Sequence, residues 1–302
     1  MSTIYTHRSS NVRKTWLIMS AFFVFIILVG WVYAQAMQTP SVVYIAVAFA
    51  LIMNIASYWY SDKLVLMMTH AKEVQKRDAP ELYRIVENLA ITAGLPTPKV
   101  YIINEPAPNA FATGRDEKHA VVAVTAGLLE RLDKVELEAV LAHELSHIGN
   151  KDMLVSTIAV VLVGFVALLS DFFLRWTIFG GRGRSNERGD GRIQMLFLVI
   201  GIALAILAPI IATLLRLAVS RSREFLADAS AVMLTRHPEA LATALEKISS
   251  DPRQLRTANH ATAHLFIANP FRNGGKKGFL TKLFMTHPPV EERTRALREM
   301  NV

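Results

Sequence analysis

Between Thr15 and Ser61 the chain carries no charged side chain, a stretch too long for one membrane crossing. Gln35, Gln38, Thr39 and Pro40 interrupt it and read as a tight turn. The pattern predicts two helices, over 16–36 and 42–60, each near the ~20 residues that a bilayer requires. Two more apolar runs follow. Residues 153–170 are bounded by Asp152 and Asp171, and their length suits either a span or a buried core helix. Residues 193–215, between Arg192 and Arg216, are long enough to span. Four hydrophobic helices are therefore expected in a mainly α membrane protein.

Residues 61–152 have a different pattern, that of a small α+β unit. Leu82, Ile85, Leu89 and Ile91 recur among polar residues and predict a helix over 80–93. Residues 99–103 form a β-branched run. Residues 109–113 and 120–124 read as two strands joined by a polar turn at 114–118. Asp133 with Glu136 three residues on fits a capping box and starts a helix over 136–150. The expected organisation is 1–60 for a tail and transmembrane hairpin, and 61–152 for a first catalytic region. Residues 153–219 form the second helix pair with its loop, and 220–302 a second catalytic region with a C-terminal helix.

Composition sharpens this picture. Apolar residues make up 52% of 302, and the formal net charge is +8. In a membrane protein such a balance reflects anchoring on an anionic cytoplasmic face, so no nucleic-acid partner is expected. Cysteine is absent, which excludes disulfides, thiolate ligands and a cysteine nucleophile. Arg8, Arg13 and Lys14 precede the first run without an acidic residue, while the turn between the first two runs is uncharged. The positive-inside rule then places the N-terminus and residues 61–151 in the cytoplasm. The loop at 180–192 conflicts with a simple four-span layout. It carries Arg182, Arg184, Arg188 and Arg192 against Glu187 and Asp190, yet two full crossings would put it outside.

The chemistry lies in His143-Glu144-Leu145-Ser146-His147 on the predicted helix. Residues four apart lie about one turn apart, so both imidazoles share a face and one ion. Glu144 is rotated away from that face and can reach a water on the ion, acting as general base. A third ligand is available downstream. Glu224 and Asp228 are also four apart; one can bind metal while the other hydrogen-bonds a ligand imidazole. Asn150 and Met153 stand where a metzincin needs Gly and His, which leaves a glutamate as the better third ligand. Lys134, Glu136, Glu138, Asn150, Lys151 and Asp152 flank the motif, so the site lies at or outside the membrane interface. Both sides of the second helix pair contribute, which requires an even number of crossings between them. His260 and His264 are four apart as well, but no Glu follows the first, and a surface or core role suits them better. A structural zinc site fills four positions with protein ligands, so three strong ligands and an adjacent Glu favour catalysis over a zinc-stapled scaffold.

Taken in order, these blocks resemble the family of HtpX heat-shock proteases, integral-membrane gluzincins related to the CAAX prenyl proteases. The resemblance extends from the first helix pair through Asn109-Ala110-Phe111-Ala112, the 143–152 block and the 224–228 block to Thr286-His287-Pro288-Pro289 and Arg293. It implies one Zn2+ per chain held by His143, His147 and Glu224, with Glu144 as base and Asp228 behind a ligand. It implies that Asn109, Ala110 and Phe111 form an edge strand receiving substrate backbone by β-addition. His287 and Arg293 would steady the tetrahedral oxyanion. The implied activity is zinc-dependent cleavage of unfolded or damaged membrane proteins under stress. It would take place on the cytoplasmic side of the bacterial inner membrane, within the lipid bilayer's reach and alongside other quality-control proteases. Residues 269–281 mix Phe271, Phe279 and Leu280 with Lys276 and Lys277, and read either as a membrane-surface flap or as a linker.

Overall fold

The computed structural model describes residues 4–150, 152–179, 195, 198–204, 221–258, 262–263, 265–271 and 288–300. The first two apolar runs form α1 (Ile4–Met37) and α2 (Ser41–Met68). Gln38, with φ of 53°, makes the turn between them. Gly30 lets the two helices touch: a Cβ there would collide with that of Ala46. Both helices outlast their apolar runs, starting before 16 and ending after 60. Neither Pro nor Gly stops them, and charged residues such as Asp62 and Lys63 continue a helix readily once it reaches water.

A turn and a short strand, β1 (Lys72–Glu73), lead into α3 (Pro80–Ala93). Pro80 opens α3 at a position where a missing N–H is harmless, and Gly94 closes it with φ of 67°. Three further strands follow: β2 (Lys99–Ile103), β3 (Ala110–Thr113) and β4 (Val121–Thr125). Their order is β1-β2-β4-β3, with β2 parallel to β4 and β3 antiparallel to it. β3 is thus an edge strand, as expected. After the short α4 (Ala126–Arg131), the Asp133 capping box opens α5 (Lys134–Gly149). Leu137, Val140, Leu141, Leu145 and Ile148 of α5 join the buried core shared with α3 and the sheet.

One further turn leads into α6 (Asp152–Phe179). The chain resumes in α7 (Arg221–Thr235), α8 (Pro238–Ser250) and α9 (Val290–Arg298). Among the described residues, three helices are long and apolar enough to cross a membrane: Asn11–Gln35, Ser41–Met68 and Asp152–Asp171. They differ in what they face. Only 28% and 17% of the first two windows is buried, against 71% of the third. Trp16, Leu28, Trp31, Tyr44 and Trp59 are exposed on the first pair, whereas Leu154, Ile158, Leu162 and Val166 of α6 pack inside the protein. Of the fourth run, residue 195 and residues 198–204 are helical, with Ile200 and Leu204 packed into the cluster built on α1 and α6. The rest of that run and the loop at 180–192 lie outside the described residues.

Candidate metal centre

His143 and His147 project from one face of α5, as their spacing requires. Their Nε2 atoms lie 3.2 Å apart. Glu224, in the first turn of α7, faces both, with carboxylate oxygens 3.7 Å from each Nε2. The three ligand atoms lie within 4.8 Å of one another, a group that could hold a metal ion. Glu144, the next residue on α5, is buried beside them. Burial, together with the nearby Glu224 charge, pushes its carboxyl up to about 7, against the pull of His147 and a backbone hydrogen bond from Ala112.

Each histidine is braced from behind. His143 Nδ1 donates to Asp228 at 2.9 Å, and Asp228 receives both Nε (2.9 Å) and Nη2 (2.6 Å) of Arg293. Burial drives His143 down to about 4, despite the Asp228 carboxylate. Burial would by contrast raise Asp228, but Arg293 and His143 hold it at about 2. On the other side His147 Nδ1 meets Asp152 at 3.2 Å, and Asp152 pairs with Arg223 at 3.0 Å. Burial lowers His147, but hydrogen bonding to Asp152 and the charge of Glu224 lift it to about 9. With Nδ1 committed to a carboxylate, each ring turns Nε2 toward the shared point, the tautomer a metal needs. The donor set therefore fits a divalent ion of the zinc type: two imidazoles and a carboxylate leave one position open.

The remaining expected site residues divide into three groups. Arg293 reaches the site, but from behind Asp228. Its Nη1 donates to the Ile267 carbonyl at 3.2 Å and stands 3.9 Å from Glu224. Asn109, Ala110 and Phe111 lie on the β3 edge, where the protein's own chain occupies part of the edge. Ile267 N–H donates to the Ala110 carbonyl at 3.0 Å, and the Asn109 amide brackets Ala268, donating to its carbonyl at 3.0 Å. Phe111 is buried against Phe266, ring centroids 5.2 Å apart. Because bonded pairs alternate along β3 and β4, the next backbone facing outward is that of Ala112, beside Glu144. His287, the paired His260 and His264, and residues 272–281 of the proposed flap lie outside the described residues. Sequence reasoning missed the bracing roles of Asp152 and Arg223. Asp152 stands five residues after His147 and Arg223 directly precedes Glu224, so proximity to the ligands was the available signal.

Membrane helices, a His/His/Glu cluster shared by two helices and a buried glutamate in the motif define a membrane metallopeptidase. The chain belongs to peptidase family M48, whose family model matches residues 76–301. Proteins described as HtpX protease homologues are similar along its length. That of Caldanaerobacter subterraneus is 41% identical over 304 residues, covering 99% of each chain. That of Lactobacillus helveticus is 44% identical over 302 residues, covering 98% of this chain and 100% of the relative. That of Tropheryma whipplei is 50% identical over 243 residues, covering 80% of each. Among solved structures, Ste24p of S. mikatae has a similar fold at 19% identity and a TM-score of 0.50, over 95% of this chain and 64% of that one.

Proposed function

We propose that this membrane metalloendopeptidase depends on zinc and degrades unfolded or damaged membrane proteins at the cytoplasmic face of the bacterial inner membrane. One observation carries the reading: two histidines and a glutamate converge on one point, each histidine backed by a carboxylate, with Glu144 alongside. A bound zinc ion would supply Lewis acidity, acidifying a water toward a pKa of about 7 and polarising the scissile carbonyl. Glu144 takes the proton of the attacking water and returns it to the leaving amine. Its burial raises its affinity for that proton, which suits taking it from the water. Asp228 and Asp152 hold the imidazole rings, and Arg293 holds Asp228 and adds positive charge beside Glu224. This geometry supports Arg293 as a positioning residue instead of a direct oxyanion donor. For His287 an oxyanion role is proposed from the family resemblance alone. Substrate backbone adds to the β3 edge at Ala112, next to the base, since Asn109 and Ala110 already bond to residues 267–268. Such pairing reads backbone and suits broad specificity.

Cytoplasmic placement rests on Arg8, Arg13 and Lys14 before the first span. A full crossing by both later runs would keep the two catalytic regions, 61–152 and 220–302, on one side. A single cysteine at position 185, labelled only from outside, would support four spans. The chemistry is tested by cleavage of an unfolded model substrate with bound zinc quantified. Glu144→Gln should keep its zinc and lose about 10²–10⁴-fold in rate. Equal cleavage by both proteins would sink the mechanism.

A further inference from the structure

The side of the site behind His147 is completed by a residue of the first membrane helix. Asp152 has two oxygens with different duties: Oδ2 meets His147, and Oδ1 takes the 3.0 Å ion pair from Arg223. Oδ1 also accepts from Asn11 Nδ2 at 2.8 Å. The same amide nitrogen donates to the Asn150 carbonyl at 3.1 Å, and Asn11 Oδ1 accepts from Arg223 Nη1 at 2.8 Å. Asn11 is 2% exposed and its partner Asp152 lies 141 residues away, so this contact belongs to the tertiary fold. Few side chains meet these demands. The position needs donors for a carboxylate and a carbonyl, and an acceptor for a guanidinium, within one short group. An amide supplies both.

The rest of α1 holds Asn11 in place. It sits well inside the helix, whose Met19, Phe22 and Ile26 share an apolar cluster with Leu154, Ile158 and Leu162 of α6. Asp152 opens that same α6. The packing that sets α1 against α6 therefore also sets Asn11 against Asp152.

We propose that Asn11 is a positioning residue of the metal centre, fixing Asp152 and through it the ring of His147. The first membrane helix is then a structural part of the site as well as an anchor. This inference rests on His147 being a zinc ligand.

The test uses the full chain in detergent, with zinc affinity measured by competition against a chelator. Asn11→Leu keeps size and apolar packing but removes the three polar contacts. We expect it to bind zinc about 10–100-fold more weakly, the range for partners behind metal ligands. Asn11→Asp, which sets a second carboxylate against Asp152, should behave similarly. In cleavage, kcat should fall while KM holds. Adding Asn11→Leu to Asp152→Asn should weaken zinc little further, because both act through the same ring. A helix-packing role alone would lower thermal stability and leave the zinc affinity of the folded protein unchanged. Should Asn11→Leu not accumulate folded, Asn11→Ser, too short to reach Asp152, carries the same expectation. Zinc affinity within twofold of wild type in these variants, or full additivity with Asp152→Asn, would overturn the proposal. Unchanged zinc affinity in His147→Ala would instead overturn the ligand assignment beneath it.

Discussion

The two histidines of α5 are one turn apart and each forms a trio with an aspartate and an arginine, yet the trios come from different parts of the molecule. His143 is followed by Asp228 and Arg293, from α7 and α9. His147 is followed by Asp152 and Arg223, with Asn11 of α1 completing the set. The first trio is sealed within the catalytic core, and its imidazole side chain is 0% exposed. The second is built where the membrane helices start, and its imidazole is 15% exposed. The outcomes differ in sign. Burial wins at His143, which falls to about 4, because Arg293 balances Asp228. Carboxylates win at His147, which rises to about 9, because Asp152, Glu224 and Glu144 all act on it. A histidine–aspartate contact therefore does not fix a histidine's charge; the surplus of neighbouring charge does.

Removing a ligand breaks both halves at once and should have the largest effect. His143→Ala, His147→Ala and Glu224→Ala should each lose zinc affinity beyond the ~10–100-fold typical of groups behind the ligands. Metal analysis after dialysis checks this, and retention of stoichiometric zinc by any of them would remove that residue from the ligand set.

The next effect separates the halves. Asp228→Asn and Asp152→Asn should each weaken zinc by about 10–100-fold. Asp228→Asn should also cost more stability. Arg293 is fully buried and gives Asp228 two bonds, so losing the carboxylate strands a charge, at roughly 3–5 kcal/mol. Arg223 retains the Asn11 carbonyl oxygen when Asp152 loses its charge. Thermal unfolding of the zinc-free variants gives the comparison, and an equal or smaller loss for Asp228→Asn would refute it. Arg293→Lys is a milder version of the same break. A lysine carries the charge but cannot form the two-bond fork to Asp228, so a reduced kcat with KM retained is expected.

The two trios were unequally legible in the sequence. The Asp228 contact follows a local rule: it lies one turn beyond Glu224, on the same face of a helix, and was expected behind a ligand. The helix under the motif was legible for the same reason, since Asp133 and Glu136 form a reciprocal cap within three residues. Strands β2 to β4 fall within a residue of the expected 99–103, 109–113 and 120–124. The contacts from Asn11 to Asp152 and from Ile267 to Ala110 bridge long stretches of chain, and no periodicity encodes them. Hydropathy likewise detected α6 but could not tell lipid from protein as its surroundings, because both reward the same side chains. Its packed face is visible only once Phe22, Ile26 and Leu162 are seen together. The occupied half of the β3 edge had no local signal either, so Asn109 and Ala110 were read as free to receive substrate.

The smallest expected effect tests the charge difference directly, in protein stripped of metal. A histidine raised from 6.5 to about 9 stabilises the fold fully below pH 6.5, and that contribution is lost as pH rises through 9. A histidine lowered from 6.5 to about 4 acts in the opposite direction: it resists protonation, so stability falls as pH drops from 6.5 toward 4. The pair alone therefore gives metal-free protein a stability maximum near pH 6.5, which thermal unfolding at half-unit steps would trace. His147→Ala should flatten the alkaline side and leave the acidic side intact, while His143→Ala should do the reverse. Zinc binding displaces the His147 proton, so zinc affinity should climb with pH up to about 9, and proton release measured on zinc addition should follow it. An alkaline limb that survives in His147→Ala would show that the surplus carboxylate charge acts elsewhere than on this ring.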